Sequence, residues 1–195
     1  MRDMIKMVIV LTVLASFSGG LLAAIRNGTK ERIEVAQLNF VKGPAIEQIM
    51  EGASNDPIAD RFKMTIGDSE MDFFIGKFDG KTKTVAFERF GKGYGGDIGV
   101  MVGINVEDEI IHGVSVTTHA ETPGMGAAAK DDPSFVSQLK GEPTDKPIKL
   151  TNDGGNINAI GGSTITSRAI CNATTEAAKV FEENKDKILE KMKSF

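Results

Sequence analysis

Cysteine is nearly absent from this sequence, since Cys171 is the only one among 195 residues. A single thiol cannot form an intramolecular disulfide, and it cannot supply the set of cysteine ligands that a zinc or iron–sulfur site needs. The C-x-x-C-H signal for haem attachment is also missing. With only two histidines, His112 and His119, we expect no metal site built from histidine alone. If this chain carries electrons, it needs an organic cofactor.

Tryptophan is absent, Tyr94 is the only tyrosine, and the formal net charge is only -4. The sequence has no stripe of basic residues and few aromatic rings to stack on bases, so we expect no nucleic-acid partner. Its apolar, charged and glycine contents are those of an ordinary folded protein rather than a disordered one. The length fits one domain and an anchor.

One long uncharged run lies near the N-terminus, from Met7 to Ile25. Its length is close to the roughly 20 residues that cross a hydrocarbon core. We therefore predict a transmembrane anchor over residues 1–28 and a globular domain over residues 29–195. A cleaved signal peptide is the alternative, although the run is long for that role and Leu22-Ala23-Ala24 is a poor cleavage site. Basic residues flank the run on both sides, so the charges leave the orientation open.

The rest of the chain predicts an α+β domain, in which an antiparallel sheet carries flanking helices. Residues 29–50 are predicted to be helical with a break near Gly43-Pro44. Residues 71–78 and 83–90 predict a hairpin, residues 98–106 and 110–118 two further strands, and residues 147–150 a short strand. Asp132-Pro133 predicts the start of a short helix. A long helix is predicted over residues 166–193, with one apolar side formed by Ile170, Ala173, Ala177, Val180, Phe181, Ile188 and Met192.

Residues Gly91–Gly96 match the string G-x-G-x-x-G, which is typical of dinucleotide-binding sites. Such a site requires a helix directly after the glycines, with its N-terminus facing the pyrophosphate. Here a predicted strand follows instead, so we reject a Rossmann-type site. Two interpretations stay open: a plain turn between strands, or a backbone surface that a flat ligand can approach.

A second glycine-rich segment, Ile160–Ser167, reads IGGSTITS and immediately precedes the predicted long helix. Backbone N–H groups at a helix start are unpaired and the helix dipole is positive there, so a phosphate would be stabilised. The glycines would let its oxygens come close to the backbone. A plain N-cap is the alternative, since serine and threonine are the usual capping residues. Thr166 and Ser167 lie further into the helix turn, where we expect them to cap it.

These segments resemble a known family. Residues 161–167 resemble the S-G-A-T-x-T-S segment of the FMN-binding domain shared by the G subunit of the Rnf electron transport complex and the C subunit of the sodium-translocating NADH:quinone reductase. Residues 119–126, HAETPGMG, resemble the family's H-x-E-T-P-G-hydrophobic-G, and residues 91–105 are a third match. Together with the N-terminal anchor, the matches span most of the chain in the family's order. The short length favours the Rnf protein.

The resemblance implies an FMN attached to the hydroxyl of Thr164 through a phosphoester bond. The family's flavin transferase recognises D-x-x-S/T-G-A-T/S, whereas this chain has Asn158, Gly161 and Ser163 in place of the aspartate, the serine or threonine, and the alanine. Slower modification, or FMN held without a bond, is the alternative. Tyr94 could stack on the flavin ring or be a surface residue of its turn, and His119 is expected to have a structural role. The expected cofactor contacts are Thr164, Gly162, Ser163, Thr166, Ser167, Glu121, Thr122, Pro123, Gly124, Met125, Gly126 and Tyr94.

The resemblance also implies a function and a location. The chain would carry electrons as one component of a redox-driven, ion-translocating oxidoreductase of the ferredoxin:NAD type, and no residue is assigned a catalytic role. Its partners would be the other subunits, a flavin transferase for maturation, and the membrane. It would be a single-pass protein of the cytoplasmic membrane with the flavin domain on the extracytoplasmic side. The alternative is a membrane-tethered, non-redox module that holds a phosphorylated ligand or a partner protein at the helix start.

Overall fold

The protein is described from a computed structural model that covers residues 1–195, apart from the side chain of Asp131. The chain divides into two compact units, Met1–Phe40 and Val41–Phe195. The first unit contains helix α1 (Arg2–Gln37), in which no side chain is buried. An 18-residue window of this helical segment has a mean hydropathy of 2.3, so it is long and apolar enough to cross a membrane by length and composition. The expected domain boundary after residue 28 stays a prediction.

The helix predicted over residues 29–50 was expected to break near Gly43-Pro44, but the irregular turn lies just before these residues and a new helix begins at Gly43. A π-helical turn, Leu38–Lys42, follows α1, and a short helix α2 (Gly43–Ile49) comes next. Pro44 lies in the first turn of α2, where a missing N–H leaves no helical hydrogen bond unmade. The proline is therefore accommodated at the start of a helix rather than ending one.

The second unit is built on a five-stranded antiparallel sheet with the strand order β1-β2-β3-β4-β5. The predicted antiparallel α+β architecture is therefore confirmed. The strands follow one another as a meander: β1 (Arg61–Ile66), β2 (Ser69–Phe78), β3 (Lys81–Lys92), β4 (Asp97–Asn105) and β5 (Ile110–Thr118).

Strand β1 was missed in the sequence. Its residues alternate strictly between polar and apolar types, and Gly67 follows directly, which together are the signal of an edge strand entering a hairpin. The predicted strand over residues 147–150 is wrong. Leu150 forms only an isolated bridge with Ile157, and the backbone N–H of Ile148 donates to the Thr175 hydroxyl at 3.0 Å. That segment is held by the side chain of Thr175 and by backbone hydrogen bonds to Ile157, and it joins no strand of the sheet.

Besides α2, the unit contains three α-helices, α3 (Ala128–Asp131), α4 (Pro133–Ser137) and α5 (Thr164–Met192), and a short 3-10 helix, Thr151–Asp153. The predicted start of α4 is confirmed, because the Asp132 carboxylate accepts from the backbone N–H of Ser134 at 2.9 Å. Helix α5 packs on β3 and β4 from one face of the sheet, and α2 packs on β4 and β5. The apolar side predicted for α5 is buried at every position named above.

The position of α5 along the sheet is set by a close approach at Gly91, near the end of β3. A Cβ at this position would lie 2.0 Å from the carbonyl oxygen of Ala169, in the second turn of α5. Backbone therefore meets backbone here, and only glycine leaves room for it. As a result, the start of α5 lies beside the turn that follows β3.

Gly91→Ala should lower the free energy of unfolding by about 1–3 kcal/mol, because neither backbone can move without disturbing the sheet or the helix. Thermal unfolding of the full chain in detergent, followed by circular dichroism, measures the effect. Gly161→Ala is the matched control, since a Cβ there meets nothing within 4 Å and its φ is not positive. Equal unfolding temperatures for the two variants would contradict the close approach.

Candidate functional site

Three segments that are far apart in the sequence meet at one end of the sheet. Lys92 pairs with Asp97 and Gly99 pairs with Thr118, so the turn after β3 and the loop after β5 leave the sheet at the same end of its strands. The contact at Gly91 brings the start of α5 to this end of the sheet as well. The three segments enclose a cleft of about 480 Å³.

The cleft is lined by most of the residues that the sequence analysis expected at a cofactor site. Ile165 is the lining residue that was not expected, and the pattern of a helix start gave no signal for it. Pro123, Gly124 and Ser167 are not among the lining residues. The lining consists of Tyr94, Glu121, Thr122, Met125, Gly126, Gly162, Ser163, Thr164, Ile165 and Thr166.

Glu121 joins the three segments through its carboxylate, and the residue is only 7% exposed. One oxygen accepts from the backbone N–H of Gly95 at 2.8 Å, and the other accepts from the hydroxyl of Thr166. The backbone N–H of Glu121 donates to Nδ1 of His119 at 3.3 Å, which fits the structural role expected for that histidine. Both carboxylate oxygens are thus used inside the protein, and Glu121 orders the cleft rather than offering a free charge to a ligand.

The hydrogen bonds determine the protonation state of Glu121. Burial on its own raises the pKa of a carboxyl group, but here the donors outweigh it, and the pKa of Glu121 is lowered from its ordinary value. The Thr166 hydroxyl has the larger effect, followed by the backbone N–H groups of Gly95 and Tyr94. Glu121 is therefore charged at neutral pH and remains a hydrogen-bond acceptor.

The two glycines of the 121–126 loop, Gly124 and Gly126, were expected among the cofactor contacts, and each also has a role within the loop. A Cβ on Gly126 would lie 2.5 Å from a carboxylate oxygen of Glu121 and 2.8 Å from the Thr166 hydroxyl oxygen, so this glycine makes room for the carboxylate. Gly124 has open space around it, but its φ of +75° is a conformation that favours glycine. Both glycines shape the loop itself.

The start of α5 presents unpaired donors to the cleft. Gly162 turns the chain with a φ of +77°, and Ser163 is the N-cap residue, but its side chain makes no capping hydrogen bond. Among the described residues, the backbone N–H groups of Thr164, Ile165 and Thr166 have no acceptor. These are the groups that bind phosphate at helix N-termini.

The expectation that Thr166 and Ser167 cap the helix is wrong. The Thr166 hydroxyl donates to Glu121. The Ser167 hydroxyl donates to the carbonyl of Ser163 and accepts from the backbone N–H of Ile160, at 3.0 and 2.9 Å. Ser167 is fully buried, so it braces the segment before the helix and does not face the cleft. Tertiary partners, which the sequence does not reveal, take the hydroxyls that would otherwise cap the helix.

The hydroxyl of Thr164 differs from its neighbours because it makes no hydrogen bond within the part of the chain that the structure describes. Thr164 is half-buried at the cleft. Around it, Tyr94, Met125 and Ile165 are 77%, 51% and 48% exposed and give the cleft an apolar rim. A free hydroxyl, unpaired N–H groups and an apolar rim together suit a ligand with a phosphate at one end and a flat apolar ring at the other.

Comparison with known proteins identifies this ligand and the family. The model of the FMN-binding domain family matches residues 93–179, which include all the cleft-lining residues. The G subunit of the ion-translocating oxidoreductase complex of Shewanella piezotolerans is 30% identical over 203 residues, covering 96% of this chain and 94% of that protein. The chain belongs to the family of G subunits of ion-translocating oxidoreductase complexes. FMN is the cofactor of this domain, and the resemblance noted in the sequence is confirmed.

Other members of the family and solved structures agree. The G subunit of the proton-translocating ferredoxin:NAD(+) oxidoreductase complex of Clostridium ljungdahlii is 31% identical over 155 residues, covering 75% of this chain and 82% of that protein. The crystal structure of Shewanella oneidensis NqrC superposes with a TM-score of 0.54 at 23% identity, covering 74% of this chain and 73% of that one. The chain therefore shares the fold of NqrC.

Glu121→Gln should destabilise the protein by about 1–3 kcal/mol at neutral pH, because the neutral amide cannot accept from both Gly95 and Thr166. The pKa of Glu121 is lower in the folded chain than its ordinary value of 4.5. Its stabilisation is therefore fully present above that value and is lost as the pH falls through the folded pKa. Thermal unfolding of both proteins at neutral pH and on acidification measures the difference, which should shrink in acid.

The exposed pair Glu176 and Lys179 provides the control, since Glu176→Gln removes a carboxylate whose side chain is 48% exposed. Its effect should stay within about 0.5 kcal/mol. If Glu121→Gln unfolds at the temperature of the unchanged chain at neutral pH, the role assigned to this carboxylate is wrong.

Proposed function

We propose that this chain is the membrane-anchored electron carrier of an Rnf-type, ion-translocating complex and bears FMN covalently bound through a phosphoester to Thr164. The observation that supports the linkage is the free Thr164 hydroxyl beside three unpaired backbone N–H groups, in a cleft of the FMN-binding domain. When bound, FMN supplies the chemistry of accepting and donating electrons.

Attachment requires an activated flavin donor, because an alcohol does not condense with a phosphate in water without one. A flavin transferase would present FMN as a phosphoanhydride. The Thr164 oxygen would attack the phosphorus of the FMN phosphate. The new O–P bond would form as the P–O–P bond breaks, the other phosphate of the anhydride would leave with the group it carries, and the hydroxyl proton would pass to water. Thr164 suits this step because no hydrogen bond to another described residue holds its hydroxyl.

The resulting phosphodiester keeps one negative charge, which the helix start stabilises. The N–H groups of Thr164, Ile165 and Thr166 point along the helix axis at its positive end. Beyond the phosphate, Tyr94, Met125 and Ile165 would offer apolar surface to the flavin ring, and the hydroxyl of Thr122, which lines the same cleft, would hydrogen-bond a polar edge of the ring. The chain thus attaches and orients the flavin.

The departures from the transferase motif fall in two places. Asn158 and Gly161 are exposed and line a smaller hollow next to the flavin cleft, so they change the surface that the transferase would recognise. Ser163 instead lines the flavin cleft itself. The acceptor Thr164 and the turn at Gly162 are retained, and these are the two features that the chemistry needs.

The first 28 residues would anchor the chain in the cytoplasmic membrane as a single span, with the flavin domain over residues 29–195. The apolar helix α1 supports this proposal by its length and composition. Relatives named as subunits of ion-translocating complexes support a place beside other subunits in such a complex. On the side of the membrane, we propose that the flavin domain faces the extracytoplasmic side.

Thr164→Ala should abolish the yellow fluorescence that stays with the chain on a denaturing gel, because the acceptor oxygen is gone. Stability should change by no more than about 0.5 kcal/mol, since the hydroxyl makes no hydrogen bond to a described residue. Thr164→Ser should keep the fluorescence. Thr122→Ala is the matched control for a hydroxyl lining the same cleft, and it should keep the attached flavin too. Gel-stable flavin on the Thr164→Ala chain would place the attachment elsewhere.

The proposed orientation predicts that a cysteine at Glu107, in the exposed turn between β4 and β5, reacts with an impermeant maleimide in intact cells. The native Cys171 should not react with the maleimide. Burial raises the pKa of its thiol to about 12, with a smaller contribution from the charge of Asp153, and it is 1% exposed. The chain without the new cysteine is the control. If the Glu107→Cys chain is labelled only after the cells are broken, the flavin domain faces the cytoplasm and the proposed orientation is wrong.

A further inference from the structure

The hydroxyl of Ser163 is buried at the flavin cleft without a partner. The residue is 6% exposed, and its Oγ has no hydrogen-bond partner anywhere in the part of the chain that is described. Ser163 is the N-cap of α5, yet its side chain accepts no helix N–H. It lines the cleft next to the acceptor Thr164.

The other buried hydroxyls of α5 all have partners. Thr166 donates to Glu121, Ser167 to the carbonyl of Ser163, and Thr174 to the carbonyl of Ile170 at 2.9 Å. Leaving a buried hydroxyl unsatisfied destabilises the folded chain, so native proteins rarely keep one without a reason. Because Ser163 lines the cleft, a group that binds there could reach this hydroxyl and satisfy it.

We propose that the Ser163 hydroxyl donates a hydrogen bond to the phosphate of the FMN carried by Thr164. This inference rests on the proposed function, because it requires a flavin phosphate at that helix start. The three unpaired N–H groups of Thr164, Ile165 and Thr166 and the Ser163 hydroxyl then form one set of donors around the phosphate. Ser163 acts as a positioning residue, fixing the phosphate against the helix.

The family motif has alanine at this position, so the serine adds a donor that the motif does not supply. It also changes the free chain. Without FMN, the buried hydroxyl lowers stability, and with FMN the same hydroxyl contributes a charge-assisted hydrogen bond. Removing it should therefore have opposite effects on the two forms of the protein, which a purely structural role of Ser163 would not produce.

The test compares the full chain with Ser163→Ala, each prepared without flavin and after loading by a flavin transferase. Without flavin, the unfolding temperature of Ser163→Ala should rise by about 2–5 °C, because an unsatisfied buried hydroxyl is gone. With flavin, it should fall by about 2–5 °C relative to the loaded unchanged chain. The phosphorus NMR resonance of the phosphodiester should also shift in Ser163→Ala, and Ser163→Thr should restore its position.

Thr84 provides a matched control, because its buried hydroxyl likewise has no partner among the described residues but does not line the cleft. Thr84→Val keeps the side-chain shape and should raise the unfolding temperature of both forms equally, with no change in the phosphorus resonance. If Ser163→Ala behaves like Thr84→Val, the inference about Ser163 is overturned.

The same samples separate this inference from the proposed function. Suppose that the unchanged chain shows gel-stable flavin fluorescence, but that FMN raises its unfolding temperature by the same amount as that of Ser163→Ala. The role proposed for Ser163 is then wrong, and the phosphoester at Thr164 is unaffected. If the unchanged chain shows no gel-stable fluorescence after exposure to the transferase, the phosphoester at Thr164 fails, and the role of Ser163 is overturned with it.

Discussion

The buried carboxylate of Glu121 is the interaction on which the cleft depends. A buried charge is costly unless hydrogen bonds compensate it, and here the donors come from Gly95 and Thr166, which lie 26 and 45 residues away in the sequence. The carboxylate therefore holds the turn after β3, the loop after β5 and the start of α5 in one arrangement. Two glycines make this arrangement possible. A side chain at Gly91 would push α5 away from the sheet, and a side chain at Gly126 would displace the carboxylate of Glu121.

This arrangement divides the polar groups of the cleft into two sets. The acceptors are used inside the protein, since both oxygens of Glu121 have donors. The donors are in surplus, because the N–H groups at the start of α5 and the Ser163 hydroxyl have no acceptors among the described residues. A cleft with unpaired hydrogen-bond donors and an apolar rim fits an anionic group attached to a flat ring. The FMN of this family has this composition, with its phosphate at one end.

Sequence patterns predicted the elements whose signals are local and strong. The strands β2 to β5 and the long helix α5 have clear alternation or an apolar side, and the capped start at Asp132-Pro133 needs only adjacent residues. The two errors have different causes. Strand β1 has a strictly alternating pattern that extends over only six residues, Arg61–Ile66, and it was overlooked. Residues 147–150 were predicted as a strand, but Ile148 is bonded to Thr175 of α5, so the partner rather than the propensity of the segment decides the structure there.

The sequence by itself determined the membrane-length apolar run, the sheet with its flanking helices, and the segments that line the cleft, because periodicity and motif residues are properties of neighbouring positions. The tertiary structure alone decided what each site residue does. Glu121 and Thr166 bind each other, Ser167 is buried, and Ile165 reaches the cleft. Each of these outcomes depends on which distant groups compete for the same hydrogen bonds, and that competition is settled only when the segments are brought together in space.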